Sequence, residues 1–124
     1  MREDERLGVL IVDDEEPARK DMARMLGKID QVEIVGEAGD GLEAVRAIEG
    51  LRPDILLLDI RMPGLDGFQV IEKLSSLEES PAVIFVTAYD TYALKAFEVH
   101  AADYLLKPVD EERLAQAIER AARI

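Results

Sequence analysis

Short aliphatic runs and longer amphipathic stretches take turns five times along this chain, and that alternation limits the fold more than any single motif does. Leu7 to Val12 is apolar except for Gly8, Ile55-Leu56-Leu57-Leu58 is apolar throughout, and Ala82 to Val86 follows Pro81 as a third such run. Strands covered on both faces read this way, because neither side of the pleat meets water. Val32-Glu33-Ile34-Val35 alternates in part and ends at Gly36, and Ala102 to Leu106 carries Asp103, so these two suit the edges of a sheet.

The intervening stretches have helical spacing. Pro17 suits a first turn, followed by Ala18, Met22, Met25, Leu26 and Ile29. Asp40 is placed to cap a helix with Leu42, Val45, Ala47 and Ile48 that stops around Gly50. The turn-rich Pro63 to Gly67 leads into Phe68, Val70, Ile71 and Leu74. Asp90 is placed to cap a helix with Tyr92, Ala93, Leu94, Ala96, Phe97 and Val99. That stripe is expected to be mostly core, with Tyr92, Phe97 and Tyr104 leaving some aromatic surface. Asp110 opens a last helix with Leu114, Ala117, Ile118 and Ala121 on one face.

Five β-α units joined by right-handed crossovers imply an α/β fold: a flavodoxin-like, doubly wound parallel sheet of order 2-1-3-4-5. The expectation is one domain over residues 1–124 with a core from about 7 to 123. Ligands of such sheets bind beyond the carboxyl ends of the strands, near the switch between the first and third.

At those ends stand Asp13 and Asp14 after the first strand, Asp59 after the third, Thr87 after the fourth and Lys107 after the fifth. Taken singly, each has an ordinary explanation: acids that favour a helix N-terminus, a turn aspartate, a strand-end hydroxyl, a solvated lysine. Their convergence on one rim does not follow from those explanations. Carboxylates this close resist joint ionisation unless a cation is present. Oxygen ligands without Cys or His suit a hard divalent ion, Mg²⁺ above all. A lysine and a hydroxyl then supply what a transferring phosphoryl group requires, and Asp59, with no second acid beside it, is the natural nucleophile for an acyl-phosphate. His100, the single histidine, sits at an expected helix end and is given no role.

Composition removes other classes. Lys plus Arg number 15 against 27 Asp plus Glu, a net charge of −12, which repels phosphate backbones and anionic lipid; no direct binding of nucleic acid or membrane is expected. There is no cysteine, so thiol catalysis and thiolate metal sites are excluded. Met1 to Arg6 is too charged to open a signal peptide, and a cytoplasmic location is expected.

Val12-Asp13-Asp14-Glu15, Leu58 to Gly67, Val86-Thr87-Ala88 and Leu106-Lys107-Pro108 together resemble the receiver domain of two-component response regulators. That resemblance implies a phosphoacceptor at Asp59 served by a sensor histidine kinase's phosphohistidine. It implies Mg²⁺ held by Asp14, Asp59 and the backbone carbonyl of Arg61, with Asp13 acting largely through a water. It further implies phosphoryl contacts from Thr87 and Lys107, a cis Lys107-Pro108 bond, and an aromatic rotamer switch at Tyr104. Glu16-Pro17-Ala18-Arg19, Tyr89 to Glu98 and Ala102 to Val109 are similar to receivers joined to a LytTR-type DNA-binding domain, which would control transcription and is not present in this chain. A dimer or partner contact is expected on the face of the fourth helix, fifth strand and fifth helix, where Ala93 and Phe97 mix with Lys95, Glu98, Arg113 and Glu119.

The alternatives are a stand-alone receiver acting by protein contacts, an aspartyl-phosphate phosphatase of the haloacid-dehalogenase type, and a flavin carrier. The phosphatase family has a second Asp two residues after its nucleophile, where this chain has Arg61. A flavin carrier needs a hydroxyl- and glycine-rich loop where this chain has Asp13-Asp14-Glu15-Glu16. The expectation is therefore a phosphoacceptor with only self-phosphorylation and self-dephosphorylation chemistry, not an enzyme.

Overall fold

Period-two alternation with both phases apolar gives each central strand two buried faces, and the whole architecture follows from that. The computed structural model describes residues 5–77 and 79–124, so most of the charged start read against a signal peptide lies outside the described residues. Five parallel strands, β1 (Leu7–Val12), β2 (Val32–Ala38), β3 (Ile55–Leu58), β4 (Ala82–Thr87) and β5 (Asp103–Leu106), form one sheet in the order β2-β1-β3-β4-β5. Val9, Ile11, Ile55, Leu57, Ile84 and Val86 enter one core; Leu10, Val12, Leu56, Leu58 and Phe85 enter the other. The expected fold and strand order are both found.

Helices α1 (Glu16–Leu26) and α5 (Glu111–Ala122) cover the first core with Met22, Met25, Leu26, Leu114, Ala117, Ile118 and Ala121. Helices α2 (Gly41–Leu51), α3 (Gly67–Lys73) and α4 (Ala93–Glu98) cover the second. Asp40 and Asp110 cap α2 and α5 by accepting from Glu43 N and Arg113 N. Asp66 and Gln69 form a reciprocal capping box at α3.

The structure corrects several boundaries. β2 continues past Gly36 to Ala38, and the register shifts so that Val9 pairs with Ile34 but Leu10 with Gly36. The extra residue at this bulge hides the strand's continuation from a reading based on alternation. α1 stops at Leu26, and Ile29 packs on the core from the following turn. α2 runs through Gly50 to Leu51 and closes on Arg52 in the left-handed region, while Leu42 is exposed. Asp90 does not cap α4, which starts later, after Tyr92, with no side-chain cap. Nor is the α4 stripe core: Ala96 is its one buried residue, and Leu94 and Phe97 are 71% and 77% exposed.

Candidate functional site

Four strand ends deliver the chemistry. Asp13 N donates to Ala38 O on β2, and Asp59 N donates to Val12 O on β1, so the sheet ladder carries both acids to the same rim. Lys107 arrives by the same means, its N–H donating to Thr87 O at the end of β4. The peptide Lys107-Pro108 is cis. Gly67 lets the start of α3 pass close beneath this rim, because a Cβ there would stand 2.7 Å from the Asp59 carbonyl oxygen.

The three sequence-expected carboxylates and Lys107 do meet. Carboxylate oxygens of Asp13, Asp14 and Asp59 lie within 4.8 Å of one another. Lys107 Nζ bridges two of them, donating to Asp13 Oδ2 at 2.7 Å and to Asp59 Oδ2 at 3.2 Å. The remaining oxygens are held by backbone: Asp13 Oδ1 accepts from Glu15 N at 2.9 Å, and Asp59 Oδ1 from Ile60 N at 2.7 Å. Asp13, Asp59 and Thr87 are buried, whereas Asp14 is exposed.

Burial lifts the Asp59 carboxyl above the ordinary carboxylate range; Lys107 pulls against that, and the charge of Asp13 adds to it. Burial works against the Lys107 ammonium too, but its hydrogen bond to Asp13 and the charges of Asp59 and Asp13 carry its pKa upward. Three carboxylates beside one ammonium leave an excess of negative charge that one divalent cation would offset. All the donors are hard oxygens, so the residues fit Mg²⁺ rather than a softer metal.

Tyr104 is half-buried, its ring 6.4 Å from that of Phe85 and its hydroxyl donating to the carbonyl of Tyr89. Tyr89 is the residue that sequence reasoning missed. Its N–H donates to Thr87 Oγ1 at 3.3 Å, its carbonyl receives Tyr104, and its ring lies under the Arg61 guanidinium at 4.8 Å and edge-on to Tyr92. The available signal was its place two residues after Thr87, on the loop entering α4. His100 is exposed and belongs to no cluster of metal-ligating groups among the described residues.

Arg113, read as part of an exposed charged face, is instead half-buried. Its guanidinium makes two bonds to Asp103, at 2.8 and 2.7 Å, and Arg120 adds a contact at 3.1 Å. Burial disfavours the Asp103 charge most strongly of any single cause, yet the Arg113 hydrogen bonds, the Tyr104 N–H and the charges of Arg113 and Arg120 together outweigh it and hold that carboxyl below its usual range.

Comparison with known proteins points the same way. The family model described as the response regulator receiver domain matches residues 9–119. A positive alginate biosynthesis regulatory protein of Pseudomonas aeruginosa is 52% identical over 118 residues, 94% of this chain and 48% of that protein. The transcriptional regulatory protein BtsR of Escherichia coli (strain K12) is 48% identical over 112 residues, 90% of this chain and 46% of that protein. The chain thus spans about half the length of the curated relatives it matches. Among solved structures, the response regulatory domain of protein mrkE from Klebsiella pneumoniae superposes with a TM-score of 0.86 at 33% identity, over 94% of this chain and 96% of that one. A CheX-CheY-BeF3-Mg complex from Borrelia burgdorferi gives 0.84 at 25% identity, over 95% and 90%. No helix of the described residues is long and apolar enough to cross a membrane.

Proposed function

The chain belongs to the response regulator receiver domain family, and from that premise we propose that Asp59 is its phosphoacceptor. A carboxylate oxygen of Asp59 attacks the phosphorus of a sensor kinase's phosphohistidine. The new P–O bond forms as the P–N bond breaks, and the departing imidazole takes up a proton. Lys107 and Thr87 contact the equatorial phosphoryl oxygens. Asp13, largely through a water, together with Asp14, Asp59 and the Arg61 carbonyl would hold Mg²⁺. When bound, that ion supplies charge that offsets repulsion between the carboxylate and the incoming phosphoryl group. One observation carries this reading: Asp59 is buried at the rim, tied to Asp13 through Lys107 and within reach of a third carboxylate.

Thr87, drawn toward the phosphoryl group, releases the Tyr89 N–H, and Tyr89 also carries the Tyr104 hydroxyl. The switch then biases dimerisation or partner docking on the face of α4, β5 and α5. BtsR, a longer relative named as a transcriptional regulatory protein, supports a transcriptional output, and the likeness of Tyr89 to Glu98 and Ala102 to Val109 to LytTR-linked receivers favours a LytTR-type DNA-binding domain for it. The domain itself acts as a phosphoacceptor rather than a turnover enzyme. Intact-mass measurement after incubation with Mg²⁺ and phosphoramidate tests the core of this. Wild type is expected to gain one phosphoryl mass and Asp59→Asn none. Undiminished labelling of the variant would overturn the assignment.

A further inference from the structure

Arg19 enters the sequence reading only within Glu16-Pro17-Ala18-Arg19, and the chemistry above gives it no part. The structure gives it an unusual task. It stands one turn into α1, where a cation opposes the positive end of the helix dipole, so its placement needs compensation. Long helical side chains lean toward the N-terminus, and this one reaches back over the turn between β1 and α1. Arg19 Nη1 donates to the backbone carbonyl of Asp13 at 2.7 Å, while Nε donates to Glu37 on β2 at 3.2 Å. The side chain is 19% exposed, and its guanidinium lies against Gly39, just after β2.

The Asp13 carbonyl belongs to the planar peptide that joins Asp13 to Asp14. Holding its oxygen restrains that plane, and with it ψ of Asp13 and φ of Asp14, two of the dihedrals that aim the side chains. Asp13 has other restraints, since its carboxylate is held by Glu15 N and Lys107. Asp14 is exposed, so the backbone it leaves is the restraint that a neighbour can impose on it. A guanidinium serves here where an ammonium does not, because its rigid fork reaches two acceptors on two different elements at once.

We propose that Arg19 is a positioning residue for the divalent site: by tying the Asp13–Asp14 peptide to Glu37 of β2, it holds the two carboxylates in their metal-binding arrangement. The inference rests on the Mg²⁺ reading above and assigns it a determinant outside the ligand set. The competing account makes Arg19–Glu37 only a brace between α1 and an edge strand. A brace would lower stability equally with and without metal and leave affinity unchanged.

The test uses the 124-residue chain with Mg²⁺ titrated against the backbone amide shifts of residues 13–16. Arg19→Ala and Arg19→Lys are expected to weaken Mg²⁺ binding about tenfold, the low end for loss of a partner that orients a metal ligand. Glu37→Gln, which leaves Arg19 an amide oxygen to bond on β2 and so keeps a weaker form of the tie, is expected to stay within about threefold of wild type. Without metal, amide exchange of residues 14–16 is expected to quicken in the Arg19 variants while that of β4 and α5 stays unchanged. Arg19→Lys retains charge and most of the stem, so it reports even where Arg19→Ala does not fold. Wild-type affinity in a folded Arg19→Lys protein would overturn the proposal alone. No Mg²⁺ binding in wild type would overturn the metal reading and this proposal with it.

Discussion

β5 is flanked by two helices of opposite construction. α5 has 12 residues, starts on the Asp110 cap and buries Leu114, Ala117, Ile118 and Ala121. Arg113 and Arg120 then bind it to Asp103 at the head of β5. α4 has 6 residues, no side-chain cap and one buried residue, Ala96. It ends in a Schellman arrangement, with Ala101 N bonded to Ala96 O and His100 N to Phe97 O. The residue in the left-handed position is His100, at φ 60, where glycine would carry no steric cost. A cation–π contact, Lys95 Nζ 4.5 Å from the Phe68 ring centroid, ties α4 to α3. In the proposed switch, that difference would make α5 a fixed reference and α4 an adjustable reporter. Tyr89 bonds Thr87 and Tyr104 and packs edge-on to Tyr92 just before α4, the helix with least to lose by moving, while α5 anchors the other side of β5.

Truncation in the two helices is the strongest way to break that contrast. Ile118→Ala should cost about 3 kcal/mol, the usual range for opening a cavity in a packed core. Leu94→Ala should stay within about 0.5 kcal/mol, as exposed substitutions do. Denaturant midpoints decide it, and equal losses would erase the distinction.

Asp103→Asn comes next, at about 2 kcal/mol near neutral pH, since it removes charged hydrogen bonds to Arg113. The sign of its pH dependence follows from a folded-state pKa held below the unfolded one. Such a carboxylate stabilises the fold above its unfolded pKa of about 3.9, and that contribution is lost as pH falls through the depressed folded value. The gap between wild type and Asp103→Asn should therefore narrow below about pH 4. A gap that stays constant to acid would mean the Arg113 pair is not what fastens α5.

The sheet and the acidic rim were legible because they rest on short-range patterns that the fold obeys. Ile55 to Leu58 is buried on both faces in sequence and in space, and Asp59 lies where its strand ends. What escaped lay where tertiary context decides. Val35, the extra residue of the bulge, shifts the partners of β1 without any mark in composition. The α4 stripe has helical spacing, but spacing does not say whether the sheet extends far enough to cover it, and Leu94 and Phe97 remain outside. Tyr89 and Arg19 act through backbone carbonyls and an N–H, groups that every residue shares. No residue-type pattern announces such contacts.

His100→Gly sharpens the contrast from the other direction. Removing the side chain from a left-handed position should raise stability by about 0.5–1 kcal/mol, after allowing for the added freedom of glycine when unfolded. The gain should appear as slower amide exchange in residues 93–101. An unchanged protein would show that the end of α4 does not hold its left-handed closure in solution.

Phe97→Ser is expected to have the smallest effect on the monomer, within about 0.5 kcal/mol, because the ring it deletes is 77% exposed. Phe97 is the one aromatic of six outside the ring contacts that link Tyr104, Phe85, Phe68, Tyr92 and Tyr89, so its removal leaves that packing intact. An exposed ring beside an exposed leucine on a weakly anchored helix has a use only when something covers it. The effect should therefore appear in association and not in folding. Sedimentation at several concentrations, with beryllofluoride and Mg²⁺ as the phosphoryl mimic, should show wild type associating and Phe97→Ser remaining monomeric. A loss of monomer stability above about 1 kcal/mol would mean that Phe97 is packed in solution, and the adjustable character given to α4 would fail with it.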